Sequence, residues 1–331
     1  MPYLQSLELQ NSYAVRLIEA DILELLRNLP DLNFVILPEF YLTSTIASEL
    51  SRKKLINEIQ CKHWYQPEQE HGDQGDDRAI TARLGDFVRF MNAKFAPINI
   101  TSLYIFTYVE HQPTQLHTSL TAQAHLCKQI TLDTLIPVLS FPNLITFGLV
   151  HEYPANITLE GIEELASRWS SIKDLYLNPE PLVMHDFTLD LRALVPFARH
   201  YPKLRHIGLF MDATAAETHL TQELNPFAAL KGLLVGMSLA QDPDTVAAFL
   251  SCLCPAGCEL NIGISWTSYS SRSCRELDDD VLSEIHKRSA LWKRVSDLLP
   301  VLIQLRSEEK ENYTRRNCLL TDKINIKACT I

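Results

Sequence analysis

An α/β fold in which a parallel sheet is backed by helices follows from three observations in this sequence. Aliphatic triplets with the spacing L-x-x-L-x-L recur along it. Stretches of helical periodicity separate the triplets, and prolines stand where a helix should give way to the next strand.

The triplets are Leu4-Leu7-Leu9, Leu32-Val35-Leu37, Ile56-Ile59-Cys61, Ile100-Leu103-Ile105, Leu144-Phe147-Leu149, Ile172-Leu175-Leu177, Leu204-Ile207-Leu209 and Leu230-Leu233-Val235. A weaker ninth copy, Gly257-Leu260-Ile262, has glycine in the first place. Successive starts differ by 28, 24, 44, 44, 28, 32, 26 and 27 positions. Most of these intervals lie in or near the roughly 20 to 29 residues of a leucine-rich repeat. The two long intervals imply insertions near 66–79 and 110–126, which belong on exposed loops.

The last two members of each triplet are two residues apart, so in a strand both point to one side. The first member turns into the same interior. Between triplets, Ala14, Leu17, Ile18, Ile22, Leu25 and Leu26 share one helical face. Leu159, Ile162, Leu165, Ala166 and Trp169 repeat the pattern, as do Leu191, Leu194, Val195 and Ala198. Leu29-Pro30, Phe141-Pro142 and Tyr201-Pro202 mark helix ends, because proline cannot continue a helix and biases its predecessor to extended backbone. No strand–helix unit can bury its apolar face alone. Stacked units give a leucine-rich-repeat solenoid, a horseshoe with a parallel concave sheet and convex helices.

The array is expected over 1–277 and a capping helix over 278–307. That helix would bury Val281, Leu282, Ile285, Leu291, Trp292, Val295, Leu298, Leu299, Leu302 and Leu305. The charged residues 308–331 are expected to form a disordered tail.

The run from Phe141 to Pro181, followed by Leu191 to Ala213, resembles the leucine-rich region of mushroom-type fungal F-box proteins. That family shows a helix ending in W-x-x-L, then an L-x-L strand, then a helix reading like L-L-P-L-A-R-H-C-P-x-L. Trp169 to Leu177 and Leu194 to Leu204 match these features, and Ala290 to Arg306 is similar to the family's terminal helix. The resemblance covers roughly Leu4 to Arg306. It implies the substrate-recognition region of a ubiquitin-ligase receptor. The F-box that would dock a Skp-type adaptor is expected to be missing, since Leu37-Pro38-Glu39, the nearest string, falls at the end of an expected strand. A Skp-type adaptor is therefore a partner only if an F-box lies upstream.

Composition narrows the remaining classes. The formal net charge is -10, and only short basic clusters occur, Arg52-Lys53-Lys54 and Arg315-Arg316. Nucleic acid and anionic membranes are poor partners for such a chain. No basic segment leads into an apolar one at the N-terminus, so the eight cysteines read as reduced thiols in a cytoplasmic or nuclear protein. Cys252, Cys254 and Cys258, with Cys274 beyond, lack the C-x2-C spacing of zinc sites and read as core or loop thiols. His63 with His71, and His111 with His117, read as isolated histidines. No G-x-S-x-G, G-x-G-x-x-G or G-x4-G-K-S/T motif occurs. The expectation is no catalytic residue, no metal and no cofactor.

What repeat geometry does supply is a binding face. Residues between the buried strand positions point to the concave side. Phe34, Tyr104, Phe106, Asp174, Tyr176, His206 and Phe210, with Glu8 beside them, are the expected contacts for a protein partner. The alternatives are a truncated or orphan repeat fragment with a structural role only, and a hydrolase using an inserted loop.

Overall fold

The computed structural model describes residues 4–9, 19–38, 44–65, 89–90, 93, 100–109, 129–141, 143–151, 153–181, 187–214, 225–263 and 279–328. Side chains at 62–65, 107–109, 279–282 and 316–328 are not described. Both expected insertions, and His71, His111, His117 and Cys274, lie outside these residues.

Nine parallel strands form one sheet in sequence order. They are β1 (Ser6–Glu8), β2 (Phe34–Pro38), β3 (Glu58–Tyr65), β4 (Ser102–Val109), β5 (Thr146–Val150), β6 (Asp174–Leu177), β7 (His206–Leu209), β9 (Gly232–Gly236) and β11 (Glu259–Ile262). Each strand carries the middle member of one triplet and, except at β1, the last member too, while the first member precedes the strand. These middle members stand in register from edge to edge: Leu7, Val35, Ile59, Leu103, Phe147, Leu175, Ile207, Leu233 and Leu260. A slip of one residue in any strand would turn its aliphatic pair to the other face, so burial itself pins the register.

One backbone device repeats at the strand starts. The Gln5 carbonyl accepts the N–H groups of both Asn33 and Phe34, and the Asn33 carbonyl those of Asn57 and Glu58. The carbonyls of Asn57, Thr101, Ile145, Lys173 and Arg205 each accept two successive N–H groups of the following strand in the same way.

The helices lie on the face of the buried triplets. They are α1 (Glu19–Arg27), α2 (Ser44–Ser51), the short α3 (Leu132–Leu135) running into a 3-10 turn, α4 (Leu159–Arg168), α5 (Leu194–His200), α6 (Pro243–Leu253) and α7 (Asp279–Ala328). Strand aliphatics and helix residues such as Leu26, Leu50, Leu165, Phe197 and Leu250 join one apolar core. Each such side chain contributes on the order of 1.5 to 3 kcal/mol by leaving water. Caps stop the helices unravelling. Thr158 Oγ1 accepts the Gly161 N–H at the start of α4. Asp242 accepts the N–H groups of Asp244 and Thr245 at the start of α6, where Pro243 needs no partner for an absent N–H.

Leu29, Phe141, Trp169 and Tyr201 are buried just after their helices, where the chain turns toward the next strand. Trp169 meets Phe147 with ring centroids 5.1 Å apart, and the Tyr201 hydroxyl donates to the Leu165 carbonyl. Five triplet members are not fully buried: Leu9, Leu260 and Ile262 are half-buried, and Leu4 and Gly257 are exposed. Leu4 is 38% exposed just ahead of β1, the outer strand of the described sheet. Gly257 stands exposed at φ +82°, a left-handed turn residue between α6 and β11.

A second, smaller ladder was not expected from the sequence. β8 (Asp212–Ala213) pairs in parallel with β10 (Leu239–Ala240), and isolated bridges join Thr131 to Asn156 and Asp190 to Asp212.

The final helix packs on α6 and on β11, covering the end of the array. Trp292, Val295 and Leu299 are buried, and Ile285 nearly so, as the apolar spacing requires. Leu291, Leu298 and Leu302 are half-buried at the margin. Leu305 was expected inside but is 50% exposed, and Ile303 takes the buried place instead. Val281 and Leu282 lie outside the described side chains. Helical backbone continues past Ser307 to Ala328, beyond the expected end. From Gln304 to Arg315 every residue of it is exposed, so local spacing rather than burial supports it. Gln304 donates to Glu308, and Arg315 pairs with Glu311, each one turn away.

Candidate binding surface

Inward alternation of the triplets forces the intervening residues to the other side of the sheet. Two outward rows result. The first runs Ser6, Phe34, Glu58, Ser102, Thr146, Asp174, His206, Gly232, Glu259. The second runs Glu8, Ile36, Gln60, Tyr104, Gly148, Tyr176, Gly208, Leu234, Asn261. Phe106 lies one step further, opposite Lys62 and Val150.

Tyrosine and glycine alternate in the second row, and the glycines make room for the rings. A Cβ at Gly148 would sit 2.2 Å from Tyr104 Cδ1, and one at Gly208 would sit 3.0 Å from Tyr176 Cδ1. Each ring therefore leans across the neighbouring strand instead of standing up from it. The ring of Phe106 lies nearly parallel to that of Tyr104, 15° between planes and 6.3 Å between centroids. Burial raises the Tyr104 hydroxyl to about 12, with smaller contributions from Tyr176, Glu58 and Asp174. Burial also raises Tyr176, and the Asp174 carboxylate adds to the effect. Both phenols stay protonated donors across the physiological range.

The first row holds a polar chain across three strands. Thr146 Oγ1 donates to Asp174 Oδ2 at 3.2 Å, and Asp174 Oδ1 lies 2.6 Å from His206 Nδ1. The His206 ring in turn leans over Gly232, where a Cβ would meet its Cδ2 at 3.0 Å. On β3, Gln60 Nε2 donates to Glu58 Oε1.

Of the expected contacts, Phe34, Tyr104, Phe106, Asp174, Tyr176 and His206 are half-buried on this outward side, and Glu8 is exposed. Tyr104, Phe106, Asp174, Tyr176 and His206 lie on β4, β6 and β7, within a run of four adjacent strands, while Phe34 stands apart on β2. Phe210 does not belong with them. It is only 5% exposed and stacks on Phe187, centroids 4.4 Å apart, with the Arg288 guanidinium 5.6 Å above the Phe187 ring. The reason is that β7 ends at Leu209, and two-residue alternation holds only within a strand.

Sequence reasoning passed over Thr146, Glu58, Gln60 and the two glycines. The signal was present: aligning the triplets puts Tyr104, Gly148, Tyr176 and Gly208 at one repeat position.

The strand ends are fixed by buried polar groups. Asn178 follows β6 at φ 50°; its Oδ1 accepts the His151 N–H at 2.8 Å and its Nδ2 donates to the Tyr153 carbonyl at 2.7 Å. Ser238 does the same after β9, donating to the Leu209 carbonyl and accepting the Met211 N–H. Gly236, at φ +48°, presses against Pro179, whose carbonyl oxygen would lie 2.1 Å from any Cβ. From the last helix, Arg288 Nη1 and Trp292 Nε1 donate to the Met237 and Ser238 carbonyls, both at 2.8 Å.

Cys61 is fully buried, and burial raises its thiol to about 12, which removes thiolate reactivity. Cys254 and Cys258 hydrogen-bond to one another, and that bond with burial raises Cys254. Among the described residues, no three His, Cys, Asp or Glu side chains gather as a metal ion would require. None of the described helices is long and apolar enough to cross a membrane. No protein-family model matches the chain, and no curated protein matches it.

Proposed function

We propose that this chain is a leucine-rich-repeat solenoid whose concave sheet face captures a protein partner without catalysing a reaction. The observation that carries this reading is the tyrosine–glycine alternation at one repeat position. It presents two half-buried aromatic rings, with Phe106 alongside, on the side of the sheet away from the helices. Large, rigid aromatics with a polar tip are the side chains that dominate protein–protein binding energy. The in-register sheet supplies the rigid platform such anchors need.

The F-box resemblance extends the proposal. The captured partner is then a protein bound for ubiquitin transfer, in the cytoplasm or nucleus, and a Skp-type adaptor joins through an F-box where one precedes the repeats.

Affinity capture with mass spectrometry tests the binding role. The unaltered chain is run beside Tyr104→Ala/Tyr176→Ala, with folding checked by circular dichroism. Partners recovered by the first and lost by the second support the reading. Identical recovery by both chains contradicts it.

A further inference from the structure

The outward rows are one-sided in charge. Across two rows of nine positions they hold four carboxylates, Glu8, Glu58, Asp174 and Glu259, and no lysine or arginine. The lysines and arginines on or just ahead of these strands stand outside those rows. Lys173, Arg205 and Lys231 each lie one residue ahead of β6, β7 and β9, and Lys62 lies beyond Gln60 in the row of Phe106. Asp174 already meets Thr146 and His206, and Glu58 meets Gln60, so these carboxylates are held in place without being neutralised by a lysine or arginine in either row.

Carboxylates beside aromatic faces form a distinctive environment. A guanidinium can lie against a tyrosine ring and donate to a carboxylate at the same time. An acidic partner segment would meet repulsion there, and a neutral one would take water from the carboxylates without bringing a compensating positive charge.

Resting on the binding role proposed above, we infer that the partner presents a cationic segment, rich in arginine or lysine, to the surface formed by Glu58, Tyr104, Asp174 and Tyr176. The rings take the flat cation or the lysine stem, and the two carboxylates set its position. Specificity then comes from rejecting acidic segments as much as from attracting basic ones.

A fluorescein-labelled oligoarginine peptide, titrated by anisotropy against the full chain, tests this directly, with an oligoglutamate peptide of equal length as comparison. Saturable binding of oligoarginine alone is expected, weakening as ionic strength rises. Glu58→Gln/Asp174→Asn should weaken it about tenfold or more. Asp21→Asn/Glu309→Gln removes the same charge from exposed helix positions and should leave it nearly unchanged. Should the first pair misfold, Glu58→Lys alone, at a half-buried side chain that accepts from Gln60, gives the same decision. Absent oligoarginine binding overturns the inference, as does equal weakening by both pairs, which would mean net charge alone. The two proposals also fail separately. If Tyr104→Ala/Tyr176→Ala loses a captured partner whose cross-linked segment is acidic or neutral, the face binds but the cationic choice is wrong. If that variant captures as before, the binding role itself falls.

Discussion

Replacing Asn178 by alanine should destabilise the sheet just where it carries Tyr176. The side chain of Asn178 supplies two buried hydrogen bonds, to the His151 N–H and the Tyr153 carbonyl, and its backbone sits at φ 50°. Removing a buried hydrogen-bond partner costs about 1 to 3 kcal/mol. Holding alanine in the left-handed region adds roughly 1 kcal/mol. Asn178→Ala should therefore lose about 2 to 4 kcal/mol. Asn178→Gly forfeits the same hydrogen bonds but tolerates the backbone, so it should lose roughly 1 kcal/mol less. Urea unfolding followed by tryptophan fluorescence measures both, with buried Trp169 and Trp292 as reporters. An alanine variant within about 0.5 kcal/mol of the original chain, well below the hydrogen-bond cost, would refute this account of the strand end. So would a glycine variant more damaging than alanine.

Three further outcomes are expected. Gly148→Ala should displace the Tyr104 ring, costing about 1 to 3 kcal/mol by overpacking and weakening partner capture; unchanged stability and capture would mean the ring does not use that space. Trp292→Ala should cost about 3 to 5 kcal/mol in thermal or urea unfolding, since it removes a fully buried ring and the donor to Ser238. High pH should unfold the chain early. Cys61 and Tyr104 have folded values raised to about 12. The unfolded chain therefore releases these protons first, near their ordinary values of about 8.5 and 10. Stability contributed by the neutral forms is complete below those values and declines as pH climbs toward 12. Urea unfolding followed by circular dichroism should give a falling stability above about pH 9; a stability flat through pH 11 would contradict the raised values.

The strand positions were legible because burial in a strand is a local, period-two property. An aliphatic pair such as Leu103 and Ile105 needs no knowledge of distant residues to declare its inward face. The outward face followed from the same alternation for Tyr104, Asp174, Tyr176 and His206. It failed at Phe210, where the strand had already ended and Phe187 waited to stack on it. What depended on long-range contacts was not readable. Arg288, a charged residue on a helix, is buried because the Met237 carbonyl and Glu284 receive it. The short β8–β10 ladder involves two-residue strands with no pattern of their own. The lean of each tyrosine over a glycine required comparing repeats 28 to 44 residues apart in the chain.

Hydroxyl-radical footprinting of the chain with and without its captured partner is the most direct measurement of all. Binding through the face of the sheet away from the helices should reduce labelling at Tyr104, Phe106 and Tyr176, leaving Leu25 on the first helix and Tyr313 on the last as reactive as before. Protection at Leu25 or Tyr313 with the three aromatics still fully labelled would place the partner on the helices and contradict the account.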